Sequence, residues 1–201
     1  MPEFAVPDPC SSVLAELHQW YKQTLLQDCI PFWFPRSIDH QHGGFLHCFD
    51  RDGQLVDSDK SVWAQGRMTW MLLRFWQDLE QNADWLSWAE SGLKFLTNHC
   101  FDTDDRMFFH VTRDGRPVRK RRYAYSESFA AIAFAAHAGV TGNEQSAARA
   151  QQLFRQFVDW NFTPGRIPPK FSDARPMIGL APRMITIVTA QELRRVFGSD
   201  P

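Results

Sequence analysis

The run SFAAIAFAAHA at residues 128–138 decides how the chain is read. It forms most of a helix predicted from Tyr123 to His137 that is apolar on every face, and such a helix must be covered all round. The flanking helices differ. Residues 143–160 turn Ala147, Ala150, Leu153, Phe154 and Phe157 to one side. The helix from Asp84 to about Asn98 sets Trp85, Trp88, Ala89, Leu93 and Leu96 against Glu90, Ser91, Lys94 and Asn98. A first helix, capped by Ser11 or Ser12, carries the stripe Val13, Leu14, Leu17, Tyr21, Thr24 and Leu25 opposite Glu16, Gln19, Lys22 and Gln23. Two further helices are apolar almost everywhere, one from near Ser61 to Trp76 and one over residues 179–196.

Six helices therefore alternate between half-apolar and wholly apolar. Two concentric layers satisfy that alternation, with the half-apolar helices outside and the others covered by them and by one another. An ordinary bundle would give every helix a similar stripe, so the expected fold is an all-α layered toroid. Pro2, Pro7 and Pro9 mark residues 1–11 as an irregular arm ahead of a single domain over residues 12–201.

The chain also repeats itself. Arg51-Asp52-Gly53 recurs as Arg113-Asp114-Gly115, each between short apolar stretches that read as hairpins. The shift that relates these two tripeptides also carries Lys60 to Arg122, Trp63 to Tyr125 and Gln65 to Glu127. One repeat is thus an outer helix, a hairpin and an inner helix, which is how α-toroids grow. The hairpins all fall at one end of the ring, the end where a pocket is expected.

Composition excludes several functions. Lys plus Arg number 22 and Asp plus Glu 23, leaving no global field for nucleic acid or an anionic membrane. No apolar run reaches the roughly 18 residues of a spanning helix, and the first residues show no secretory signal, so a soluble cytoplasmic protein is expected. Cys10, Cys29, Cys48 and Cys100 form no CxxC pair and read as reduced thiols. His40 and His42 lack an acidic or cysteine partner at metal spacing and read as a polar loop, so no metal is expected.

Arg67 is the most informative residue. Four after Trp63, three before Trp70 and four before Met71, it points along an apolar stripe, and a buried guanidinium needs a partner. Two partners fit: a buried carboxylate such as Glu127, or an oxygen of a bound ligand. Gly66 beside it allows a ligand or a neighbouring helix to come close. Trp63 and Tyr125 occupy equivalent places in the two repeats, where rings either pack in a core or stack on sugar faces. Glu127 stands near the start of an apolar helix that its charge favours. Arg116, Arg119, Lys120, Arg121 and Arg122 read as a solvated strand, with attraction of an anionic sugar or nucleotide phosphate as the alternative. No phosphate-binding glycine loop or GxSxG elbow occurs.

KSVWAQGRMTWM (residues 60–71), preceded by PFWFPRSIDHQHGGFLHCFDRDGQLVDSD (residues 31–59), resembles the N-terminal signature of the N-acylglucosamine 2-epimerase family. FFHVTRDGRPV, YAYSESFAAIAFA and RPMIGLAPRMITIVTAQELRRV resemble the same family in the same order, so the likeness runs from about residue 12 onward. It implies an (α/α)6 barrel, of which these six helices are about half, binding an open-chain sugar whose C2 proton is removed and returned through an enediolate. Arg67 matches the family's site arginine, while Trp63, Tyr125 and Glu127 fall at pocket-lining positions. The family's histidine acid and base and an accompanying glutamate belong to the second six helices; His42, His47 and His110 do not match them. Where some relatives carry an extra histidine at the start of the sixth helix, this chain has Met184, as the acylglucosamine branch does. The resemblance thus implies an isomerase without a cofactor, with a nucleotide activator conceivable, whose residues here bind weakly and catalyse poorly alone. The competing expectation is a catalytically dead half-barrel that binds sugar or forms a homodimer. Cellobiose 2-epimerases and aldose-ketose isomerases share the fold.

Overall fold

The computed structural model describes residues 11–169 and 171–198. Apart from Ser11, where the first helix already begins, the expected N-terminal arm lies outside the described residues. Helix α1 (Ser11–Thr24) runs through a π-helical turn (Leu25–Cys29) into α2 (Ile30–Trp33), so the three make one continuous rod. The rod stops at Phe34, whose backbone is extended because Pro35 follows. Then come β1 (Cys48–Phe49), β2 (Leu55–Asp57) and β3 (Lys60–Ser61), followed by α3 (Val62–Asp78) and α4 (Ala83–His99). Strands β4 (His110–Val111) and β5 (Pro117–Arg119) lead to α5 (Tyr125–Thr141), α6 (Glu144–Phe162) and α7 (Ala181–Phe197).

Local chemistry sets the ends of these helices. The Asn82 side chain accepts the Asp84 N–H at 2.9 Å, and the Asn143 side chain accepts the Ser146 N–H at 2.8 Å, capping α4 and α6. Gly142, at φ +72°, closes α5 in the left-handed conformation that lets α6 start two residues later.

Helices α3, α5 and α7 stand side by side as an inner row, with α4 laid on α3 and α6 on α5. Gly66 sets the closeness of α3 and α5, for a methyl group placed on it would stand 2.7 Å from the Phe129 carbonyl carbon. The close approach that Gly66 permits is thus to a neighbouring helix.

Both expected hairpins form, β1 pairing with β2 and β4 with β5, each antiparallel. The second gains a third strand, since β3 pairs with β4 through Lys60↔Val111 and Ser61↔His110. The entry to α3 is thereby tied to the hairpin that feeds α5.

Burial follows the number of neighbours each helix has. α5, flanked by α3 and α7 and covered by α6, is buried over most of Ser126–Ala138. α3, predicted from its composition to be buried all round, is not, because Trp63 and Arg67 face the open concave side. α7 has α5 and α6 for neighbours but no outer helix laid on it among the described residues, and it buries only Thr189 and Leu193. No described helix is long and apolar enough to cross a membrane.

Candidate functional site

Trp63 and Arg67 lie one turn apart on the same face of α3, so their side chains emerge together on the concave side. The Trp63 ring is 41% exposed and sits 5.4 Å from the Phe129 ring of α5. Phe129 in turn lies one helical turn beyond Tyr125. The two inner helices therefore present a continuous strip of Arg67, Trp63, Phe129 and Tyr125.

Arg67 corrects the sequence reading: it is exposed, and it makes no ion pair with Glu127. The apolar stripe is present, but among the described residues no second layer stands opposite the side of α3 that carries Trp63 and Arg67. The guanidinium lies over the Trp70 ring at 4.4 Å. Stacking of this kind is worth roughly 0.5–1 kcal/mol at an exposed site and steadies the cation. The N–H donors of the guanidinium find no hydrogen-bond acceptor among the described residues.

Glu127 is also corrected, since it presents no surface to a pocket. Its Oε1 accepts the Met107 N–H at 2.9 Å and the Arg106 Nε–H at 3.0 Å. Its Oε2 is buried without a hydrogen-bond partner. Burial pushes this carboxyl above its ordinary range, opposed by the Met107 N–H and by Arg106. Arg106 does more than neutralise it. Its Nη2 reaches the carbonyl of Tyr123 at 3.1 Å and those of Arg122 and Arg121 at 3.3 and 3.4 Å, while its guanidinium lies 4.5 Å from the Trp160 ring. One cation thus fixes the segment that leads into Tyr125. Sequence reading missed Arg106, because its partners belong to α5, α6 and the approach to α5, and nothing local marks it among Asp102, Asp104 and Asp105.

A cleft of about 710 Å³ opens beside this segment, walled by Tyr123, Tyr125, Trp160 and Arg183 and by the proline-rich connection from α6 to α7. Tyr123 and Tyr125 are stacked with ring centres 5.7 Å apart, and burial, then the neighbouring Tyr123, pushes the Tyr125 phenol upward. Arg122 donates to the Pro169 carbonyl and to the Tyr123 hydroxyl, each at 2.9 Å, bracing the far wall. Of the basic run, Lys120 binds Asp102 and Asp104, Arg116 binds Asp114, and Arg121 stacks 3.7 Å over Phe109. These cations are engaged within the chain itself, as a structural strand requires.

The internal repeat does not carry Lys60 and Arg122 into like surroundings. Lys60 is wholly enclosed: its Nζ donates to the carbonyls of Gly43 and Arg113 at 2.7 and 2.8 Å, pairs with Asp39 at 2.9 Å, and lies 4.1 Å from the Phe95 ring. Arg113 grips the same carboxylate with two nitrogens at 2.9 and 3.0 Å. Burial alone would raise the Asp39 carboxyl, but Arg113 and Lys60 overcome it and hold the group well below the usual carboxylate range. His47 is equally structural, its Nε2 accepting the Ser61 N–H at 2.8 Å. Among the described residues no three His, Cys, Asp or Glu side chains converge as metal ligands.

The structure thus puts Tyr125 in the cleft, Trp63 and Arg67 on the concave face next to it, and Glu127 in the core beneath. The family model described as N-acylglucosamine 2-epimerase (GlcNAc 2-epimerase) matches residues 44–175. The N-acylglucosamine 2-epimerase of Rattus norvegicus is 35% identical over 152 residues, covering 72% of this chain and 36% of the relative. The cellobiose 2-epimerase of Eubacterium cellulosolvens is 28% identical over 159 residues, covering 78% of this chain and 38% of the relative. Among solved structures, the cellobiose 2-epimerase from Bacillus thermoamylovorans B4167 superposes with a TM-score of 0.80 at 20% identity, over 92% of this chain and 52% of that one. The chain spans about a third of the length of the curated relatives it matches.

Proposed function

The chain belongs to the N-acylglucosamine 2-epimerase family, and from that premise we propose that it forms one wall of a sugar 2-epimerase site acting on N-acylglucosamine and N-acylmannosamine. The observation that carries this reading is the exposed pair Trp63 and Arg67 on an inner helix, aligned with Phe129 and Tyr125 beside the cleft. Rings set at a concave wall stack on the apolar faces of a sugar. A guanidinium steadied by Trp70 with its N–H groups free is a ready donor to the oxygen that gains charge when a C2 proton leaves. The higher identity to the acylglucosamine enzyme, 35% against 28% for the cellobiose enzyme, favours the amino sugar as substrate. The residues described here supply binding and oxyanion stabilisation; the groups that move the proton come from a second set of helices. Cytoplasmic placement and independence from a cofactor belong to the same proposal.

The test is titration of N-acetylmannosamine into the chain, followed by ligand-observed NMR. Weak binding is expected, with Arg67→Ala and Trp63→Ala each weakening it about tenfold, a loss near 1.4 kcal/mol. In a complete enzyme, Arg67→Ala is expected to abolish nearly all exchange of the C2 proton with deuterated water. Unchanged exchange in that variant removes Arg67 from the mechanism.

A further inference from the structure

The two repeats fix the foot of their inner helices with different residues. The shift that relates them carries Gly44 to Arg106, Gln65 to Glu127 and Asn98 to Trp160. In the first repeat the arrangement is uncharged. Gln65 bonds the Phe45 backbone, and Gly44 leaves no room for a side chain, since a Cβ on it would stand 2.6 Å from Gln65 Oε1. The residues that enter α3 are held by a strand: β3 pairs with β4, and His47 accepts the Ser61 N–H. In the second repeat, residues 121–124, which enter α5, belong to no strand. There the three exchanged positions interlock. The Arg106 guanidinium lies between the Glu127 carboxylate at 3.0 Å and the Trp160 ring at 4.5 Å, while its Nη2 binds the carbonyls of Arg121, Arg122 and Tyr123.

The first repeat shows that a hairpin is tied to its inner helix without a buried charge. A guanidinium only 14% exposed is costly to take out of water, so its presence in the second repeat needs another reason. That reason lies on the cleft side. Trp160 and Tyr123, both held by Arg106, wall the cleft, and Tyr123 stacks on Tyr125 at 5.7 Å. Arg106 stands behind these rings and does not line the cleft itself. We propose that Arg106 is a positioning residue of the sugar cleft, holding Tyr123, Tyr125 and Trp160 in the arrangement that receives the sugar. It sets affinity without touching the sugar or the transferred proton. This inference rests on the sugar reading of the cleft. Rings bind a sugar by stacking on its apolar face, and a ring that must first be ordered gives up part of that affinity. The guanidinium suits the task by shape: its planar fork donates to the carboxylate through Nε and to the carbonyls through Nη2 while its face rests on the indole. A lysine ammonium keeps the charge for Glu127 but cannot span both sets of acceptors.

Arg106→Lys tests this with two measurements on the chain. Backbone order parameters from ¹⁵N relaxation are expected to fall over residues 121–125 from about 0.85 to below about 0.6, and to stay unchanged over residues 130–138 in the body of α5. The Kd for N-acetylmannosamine, from ligand-observed NMR, is expected to weaken about fivefold, with helix content by circular dichroism unchanged. Should Arg106→Lys not fold, Arg106→Gln combined with Glu127→Gln, which recreates the uncharged first repeat, takes its place with the same expectations. Three results each overturn the proposal: unchanged order over residues 121–125, a loss of order spread equally through residues 130–138, which marks a purely structural residue, or wild-type sugar affinity in the variant. A wild-type chain that binds no sugar, while the variant still loosens residues 121–125, overturns the sugar reading and supports the hold of Arg106 on the cleft walls.

Discussion

Gln65 and Glu127 perform the same task in the two repeats. Gln65 bonds both backbone groups of Phe45, accepting the N–H and donating to the carbonyl at 2.8 Å each, and Glu127 accepts the N–H of Met107. Phe45 and Met107 are themselves related by the shift that carries Gln65 to Glu127. The repeat is therefore a repeat of one bond, from an inner helix to the loop ahead of its hairpin. In the second copy a carboxylate replaces the amide and Arg106 is added to balance it.

That relation predicts the order of two substitutions. Glu127→Ala strands the Met107 N–H and leaves Arg106, whose side chain is 14% exposed, without its carboxylate, so a loss of about 3 kcal/mol is expected in urea unfolding. Glu127→Gln restores the Gln65 arrangement and should lose less than half as much. Equal losses for the two would mean that the charge, rather than the backbone bond, is what matters here.

The buried pair Asp39 and Lys60, joined by the partly exposed Arg113, ties the loop after α2 to the sheet of β3, β4 and β5. Asp39→Ala leaves the Lys60 ammonium buried with only carbonyl partners, and about 3–5 kcal/mol should be lost. Because the Asp39 carboxyl is held low in the folded chain, its contribution is full above about pH 4, where an unfolded aspartate is ionised, and fades as acid is added below that. Asp39→Asn should flatten the acid limb of a stability profile; an unchanged limb would locate acid sensitivity elsewhere.

Gly66→Ala sets helix propensity against packing. Alanine favours a helix interior by roughly 1 kcal/mol. Its methyl would meet the Phe129 carbonyl carbon and oxygen at 2.7 and 2.8 Å, and backbone atoms of a packed helix cannot rotate aside. A net loss of about 2 kcal/mol in thermal or urea unfolding is expected, in the range of an overpacked core. A more stable variant would show that α3 and α5 can separate freely.

His47 predicts a second pH effect at higher pH. Burial lowers its affinity for a proton and His110 adds to this, while its own backbone and Asp57 oppose them. A lowered folded value means that stability is full above about pH 6.5, where an unfolded histidine loses its charge, and declines below it. His137, also lowered by burial, acts in the same window. His47→Gln, which can still accept the Ser61 N–H, should make the urea midpoint less dependent on pH between 7.5 and 5.5. The same slope in both proteins would exclude His47 as a source.

The alternation of half-apolar and wholly apolar helices, the two Asp-Gly hairpins and the internal repeat are all legible in the sequence, because each is a local pattern written within a few turns of chain. So is the pairing of Trp63 with Arg67 on one face of α3, which follows from helical spacing alone. What surrounds a face is another matter. The apolar sequence neighbours of Arg67 predict a buried guanidinium, but burial depends on whether a second layer stands opposite. The family resemblance implies a pocket-lining Glu127, whereas its environment is set by Arg106 and Met107, brought to it by a loop from elsewhere in the chain. The roles of Asp39, Lys60 and Arg113 depend in the same way on three segments meeting. Sequence determined which helices form and which of their faces seek cover; only the packing of distant segments decided which faces found it, because desolvation and ion pairing are properties of the assembled surroundings and not of the residue.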